Sequence, residues 1–225
     1  MTGLRFDHYD WAGGREGMLR FGPDTGPIVI AALPLFEEAN RTRQFAVTIL
    51  RALADHGIRG VLPDFPGTGE SLIATSGSTL SNQRRAFIAL AQQLGPRSYA
   101  LSIRSGALLD TDARLAGRWH LAPQAGEDVV RDLDRARAVA SRSDRPAENE
   151  YAGNIVSREM LAELCAASPS EVGPRRVVRM ATDPRPADAT YPGVPLWRRS
   201  EPDNDITLAQ QLATDISEWI ASCES

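Results

Sequence analysis

Residues Ile28–Leu35 read IVIAALPL, an apolar run broken by no charge. A strand buried on one face alternates apolar with polar residues. This run does not alternate, so it predicts a strand covered on both sides. Such strands lie in sheets sandwiched between helices. The flanking pattern agrees. Gly17–Phe21 reads as a short strand, followed by turn chemistry over Gly22–Pro27. Asn40 stands where an N-cap belongs, before a helix with Phe45, Ile49, Leu50 and Leu53 on one stripe. Further strands are expected at Ile58–Leu62, Tyr99–Ile103, Arg118–Ala122, Arg175–Met180 and Val194–Trp197. Helices are expected at Ser81–Leu94, Gly106–Leu115, Ala125–Ala140, Ser157–Ala167 and Ile206–Ser222. Strand and helix alternating through short connections predict a mostly parallel sheet. A chain of 225 residues is expected to form one domain, 1–225. The rhythm breaks at Ser141–Gly153, which reads as a loop or the stump of a cap.

All 25 basic residues are arginine. Without lysine there is no Schiff base, no pyridoxal lysine and no phosphate-loop lysine. The net charge of -4, well mixed along the chain, gives no reason to expect nucleic-acid binding. No apolar run reaches the roughly 18 residues of a membrane span. Met1–Phe21 has no apolar signal core, so a cytoplasmic protein is expected. Cys165 and Cys223 are isolated and read as free thiols. Metal-ligand spacing is absent, and Gly67-Thr68-Gly69 lacks the third glycine of a dinucleotide loop, so neither metal nor cofactor is expected. The oligomeric state leaves no trace in the sequence.

Two segments carry chemistry. Asp64-Phe65-Pro66-Gly67-Thr68-Gly69-Glu70-Ser71 closes a strand. Its aspartate is suited to bond backbone N–H groups, and its glycines permit positive φ. Ser102-Ile103-Arg104-Ser105-Gly106 lies between a strand and a helix. There, α/β-hydrolases place G-x-S-x-G, a sharp elbow that exposes the nucleophile. Together with Pro34–Arg43 and the run Arg104-Ser105-Gly106-Ala107-Leu108-Leu109, these segments resemble the α/β-hydrolases, and among them the exosortase A system-associated hydrolases of the second type. The resemblance implies an α/β-hydrolase fold: a mostly parallel sheet of up to eight strands, helices on both faces, a small cap or none. It also implies a bacterial ester or thioester hydrolase, or an acyl transferase, tied to envelope or exopolysaccharide processing. The ligand is then a small molecule or acyl group held in the cleft.

The catalytic residues do not follow. The elbow nucleophile position holds Arg104, which stays protonated and cannot attack a carbonyl. The loop Arg198–Asp205, where the base belongs, has no histidine. Ser105 is the nearest substitute nucleophile; the ordinary role of a serine there is to cap. Asp183 stands where the orienting acid belongs. His120 is the nearest histidine to the elbow in the strand order. Glu37 and Glu38 fall in the segment that carries the oxyanion loop of hydrolases; with Asn40, Arg41 and Arg104 they are the candidates to bind a ligand, and Arg104 is expected to pair with one of the two glutamates. Two readings stay open: a hydrolase, or a catalytically inactive binding protein that uses the cleft for an anion or a partner.

Overall fold

A computed structural model describes residues 4–140, 149–151 and 153–225. Its centre is an eight-stranded sheet. In chain order the strands are β1 (Arg5–Trp11), β2 (Gly14–Phe21), β3 (Ile28–Ala32), β4 (Arg59–Pro63), β5 (Ser98–Ile103), β6 (Gly117–Leu121), then β9 (Arg175–Met180) and β10 (Ala189–Tyr191). A separate two-residue hairpin supplies β7 (Glu150–Tyr151) and β8 (Asn154–Ile155). The helices are α1 (Glu37–Asp55), α2 (Leu80–Leu94), α3 (Gly126–Ala140), α4 (Arg158–Cys165) and α5 (Ile206–Cys223). The strand order is β1-β2-β4-β3-β5-β6-β9-β10. The first two pairings are antiparallel and the rest are parallel.

The apolar run ahead of α1 does what its composition dictates. Along β3, Val29 and Ala31 join the core under α1 and α5. Ile28, Ile30 and Ala32 join the core under α2, α3 and α4. All five side chains are buried. Because the parallel strands all end along one edge, the loops after β3, β5, β6 and β9 converge there. Each of the first three carries a non-glycine residue at positive φ: Phe36 at 58°, Arg104 at 55° and Ala122 at 48°. Strain of this kind collects at functional edges.

Three expectations are corrected, and one strand was not foreseen. β1 was not legible: its exposed polar face hides the pairing with β2 over Arg5–Trp11. Asn40 is inside α1 rather than its cap, because Phe36 turns the chain early and Glu37 and Glu38 fill the first turn. The segment Gly106–Leu115 is no helix; only a tight 3-10 turn forms, over Arg104–Leu108. A Cβ on Gly106 would lie 2.2 Å from the Ala32 carbonyl oxygen, so the turn is pressed against the end of β3. Val194 lies between two prolines that cannot donate to a ladder, and the last strand forms upstream at Ala189–Tyr191. Of the Ser141–Gly153 segment, residues 141–148 and 152 lie outside the described ones; Glu150 and Tyr151 form β7. Among the described residues, no helix is long and apolar enough to cross a membrane.

Asp215 of α5 ties the late strands together. It accepts from Trp119 Nε1 at 2.7 Å, from both Arg176 nitrogens at 2.6 and 2.9 Å, and from the Tyr191 hydroxyl at 3.1 Å. Burial pushes this carboxyl up, but the bonds from Arg176 and Trp119 outweigh burial and hold it below its ordinary value. Unfolded, it titrates near about 3.9. Its stabilising effect is therefore complete above that pH and is lost as the pH falls through the lower folded value. Asp215→Asn should lower Tm at neutral pH, and the gap to the parent should narrow as the pH falls below about 4. Thermal melts across that range read both effects; a gap that stays constant rules out the carboxylate as its source.

Candidate active site

β5 ends in a sharp turn whose apex is Arg104. Its left-handed backbone is the conformation that a nucleophile elbow requires. The side chain does not reach out as a nucleophile would. It is 7% exposed and folds back against α1. Nε lies 3.2 Å from one Glu38 carboxylate oxygen and Nη2 3.3 Å from the other, a two-pronged fork. Nη2 also lies 3.8 Å from Asp132 on α3. The guanidinium carbon stands 5.3 Å from the centre of the Trp197 ring, within cation–π range. Trp197 belongs to a short turn, Leu196–Arg198, and its carbonyl accepts from Arg41 Nη1 at 3.1 Å. Arg41 is thus a strap between α1 and that turn.

Ser105 does not cap a helix. Its hydroxyl oxygen accepts from the Leu35 backbone N–H at 2.9 Å, and the residue is 2% exposed. In the hydrolase arrangement, an N–H from the loop after β3 and the N–H following the apex form the oxyanion hole. Here the first of these regions has its Leu35 donor already satisfied from within.

Asp183 does follow β9, and what it orients is arginine. It accepts from Arg179 Nη1 at 3.0 Å and from Arg185 Nε and Nη2 at 2.9 and 2.7 Å. The Arg185 bonds hold its carboxyl far below the ordinary range. His120 is fully buried within β6, with Nε2 2.9 Å from Asp110 Oδ2. The same oxygen accepts from Ser102 Oγ at 2.5 Å, and Arg118 Nε reaches the other at 3.2 Å. Serine, aspartate and histidine therefore meet, but with the carboxylate in the middle and every member buried. A triad needs the histidine between the other two, so this network is structural.

Glu37 accepts from Asn154 Nδ2 at 3.3 Å, and the Arg104 fork is taken by Glu38 instead. Asn40 lines two small pockets beside the Gly-rich turn. Arg43 donates to Asp64 at 3.2 Å. Asp64 in turn accepts from the Glu70 N–H, as a turn-holding aspartate should. A Cβ on Gly69 would fall 2.1 Å from the Asp64 carboxylate, so the turn tolerates no side chain there.

Above Arg104 lies an open cleft of about 470 Å³. Its floor includes Arg104, Gln124, Met180 and Trp197. Its walls carry Arg131 and Arg135 of α3, Arg185 of the loop after β9, and Arg198. A smaller pocket of about 170 Å³ adjoins it, lined by Leu35, Phe36, Val129, Leu133 and Ala136 and edged by Glu37, Glu38, Arg41 and Asp132. The wall arginines were not legible as a group because they come from three separate segments that only the fold brings together. The spacing of Arg131 and Arg135, one helical turn apart near the start of α3, was the available signal. Among the described residues, no group of three or more His, Cys, Asp and Glu side chains is placed to hold a metal ion.

No family model matches the chain, and no curated protein sequence matches it. Solved structures do. A putative hydrolase from Agrobacterium vitis S4 superposes with a TM-score of 0.62 at 14% identity, over 98% of this chain and 99% of the other. A thermophilic esterase from Thermogutta terrifontis gives 0.57 at 15%, over 98% and 100%. Epoxide Hydrolase A from Mycobacterium thermoresistibile gives 0.60 at 15%, over 96% and 98%. The chain has the α/β-hydrolase fold.

If the left-handed apex is strained, alanine and glycine should differ at Arg104. Either substitution strands Glu38 and should cost about 3 kcal/mol, the low end for a broken buried pair because Glu38 is partly exposed. Glycine removes the left-handed penalty, so Arg104→Gly should be more stable than Arg104→Ala by about 1 kcal/mol. Urea unfolding of both variants measures the difference, and equal midpoints would show a relaxed turn.

Proposed function

We propose that this protein uses a hydrolase cleft to bind a ligand and does not hydrolyse it through a serine. The carrying observation is the Arg104–Glu38 fork, which fills the nucleophile position with a cation held against its own helix. Two further features support the reading. The Ser105 hydroxyl is committed to the Leu35 N–H. The loop Arg198–Asp205 brings no histidine to the cleft. The ligand is a small molecule, and the resemblance of the elbow and the Gly-rich turn to exosortase-associated hydrolases supports a role beside bacterial envelope or exopolysaccharide processing. A cytoplasmic location goes with that reading.

The alternative is an ester or thioester hydrolase or acyl transferase. It is favoured by the retained elbow geometry and by the apolar pocket of about 170 Å³, which suits a short acyl chain. The names of the structural neighbours point the same way, but at their low identity they speak for the fold alone. The two readings part at one atom, the Ser105 hydroxyl oxygen. A fluorophosphonate probe should leave the protein unlabelled, and short-chain nitrophenyl esters should turn over no faster than in buffer. Stoichiometric labelling of Ser105, or turnover abolished by Ser105→Ala, reverses the proposal in favour of the hydrolase.

A further inference from the structure

The charges of the cleft are not balanced. Five arginines line it against three aspartates, and with Arg104 answered by Glu38 four remain against three, in a chain whose net charge is -4. The local pairing shows where the surplus lies. Asp183 is one carboxylate shared by two guanidiniums, those of Arg179 and Arg185. Arg179 is 8% exposed, and its proton is loosened first by burial and then by repulsion from Arg185, with a further contribution from Arg104. The Arg198 side chain is exposed, and among the described residues its guanidinium has no hydrogen-bond or ion-pair partner. Arg131 and Arg135 pair with Asp128 and Asp132 three residues earlier on α3. Pairs of that kind, half exposed on one helix, are weak and readily exchanged for a better acceptor.

These cations stand on three separate walls: α3, the loop after β9, and the turn before α5. Arg131, Arg135, Arg185 and Arg198 all line this one cleft, so a ligand with more than one anionic group can answer more than one wall. The lining is also predominantly polar, with Gln124 and Thr182 among the arginines. We infer that the cleft binds a compact polyanion, a molecule carrying at least two phosphate or carboxylate groups within one small skeleton. Each group takes the fork geometry that arginine offers. Arg104 is not among the primary ligands, because Glu38 already occupies its fork; it contributes field from the floor. The inference rests on the binding reading above and gives it a ligand class.

The test is calorimetric titration with inorganic pyrophosphate, citrate, inorganic phosphate and ethyl butyrate as the neutral ester. Pyrophosphate or citrate should bind at one site, roughly tenfold or more tighter than inorganic phosphate. Which of the two binds better assigns phosphate or carboxylate chemistry. Affinity should fall as salt rises from about 50 to 200 mM, since exposed charge pairs are screened. Arg198→Glu and Arg185→Gln should each weaken the preferred polyanion by roughly tenfold. Both side chains lie at the protein surface, so an unchanged Tm certifies the fold of each variant. The inference is overturned by no saturable binding of either polyanion, by equal affinity in both variants, or by tighter binding of ethyl butyrate. Those results leave Ser105 unlabelled and the non-hydrolytic reading intact. Labelling of Ser105 removes that reading instead.

Discussion

A guanidinium taken out of water at the end of a central strand must find a carboxylate, or the strand end cannot form there. Arg104 finds Glu38, and much of the cleft follows from that pair. Glu38 is in the first turn of α1, so the pair fixes where α1 begins relative to β5. Trp197 packs over the guanidinium and is strapped to α1 by Arg41. The turn before α5 is thereby held down on the elbow, in the region from which a hydrolase would present its histidine. The left-handed apex remains, but its side chain has exchanged an outward nucleophile for an inward tie.

Two polar clusters flank this pair and differ in kind. On the α2 side of the sheet, Ser102, Arg118 and His120 Nε2 converge on Asp110 in a buried network, with His120 Nδ1 left unpaired. On the cleft side, Asp183, Arg179 and Arg185 leave positive charge over, and Arg198 adds more. Burial separates the two roles. A fully buried network must be neutralised internally, whereas a solvent-lined surplus can wait for a ligand.

Much of the fold was legible because burial dictates composition. The unbroken run at Ile28 and the amphipathic stripes of α1, α2 and α5 each admit few arrangements. The elbow was legible for the same reason: Gly106 must press on the Ala32 carbonyl, and only glycine fits. The glutamate that pairs with Arg104 was narrowed to two candidates, and the choice of Glu38 needed the helix phase set by Phe36. What stayed hidden depended on long-range partners. β1 has only a short apolar signature, Tyr9 and Trp11 between charged residues, and its place is set by pairing with β2 and by the burial of Tyr9. The tight turn at Arg104–Leu108 replaces a helix because Asp110 is drawn to Arg118 and His120. Arg43 could not be assigned to Asp64, nor Arg185 to Asp183, from spacing alone. Charged surface residues take partners that only the assembled loops supply.

The claim on which the rest depends is that Arg104 and Glu38 act as one unit. A double-mutant cycle with Arg104→Ala, Glu38→Ala and the double variant, followed by urea unfolding, isolates their coupling. A coupling of about 2 kcal/mol or more is expected for a forked, largely desolvated pair. A coupling near zero would contradict it, and would mean that Arg104 stands free at the elbow with its charge available to the cleft.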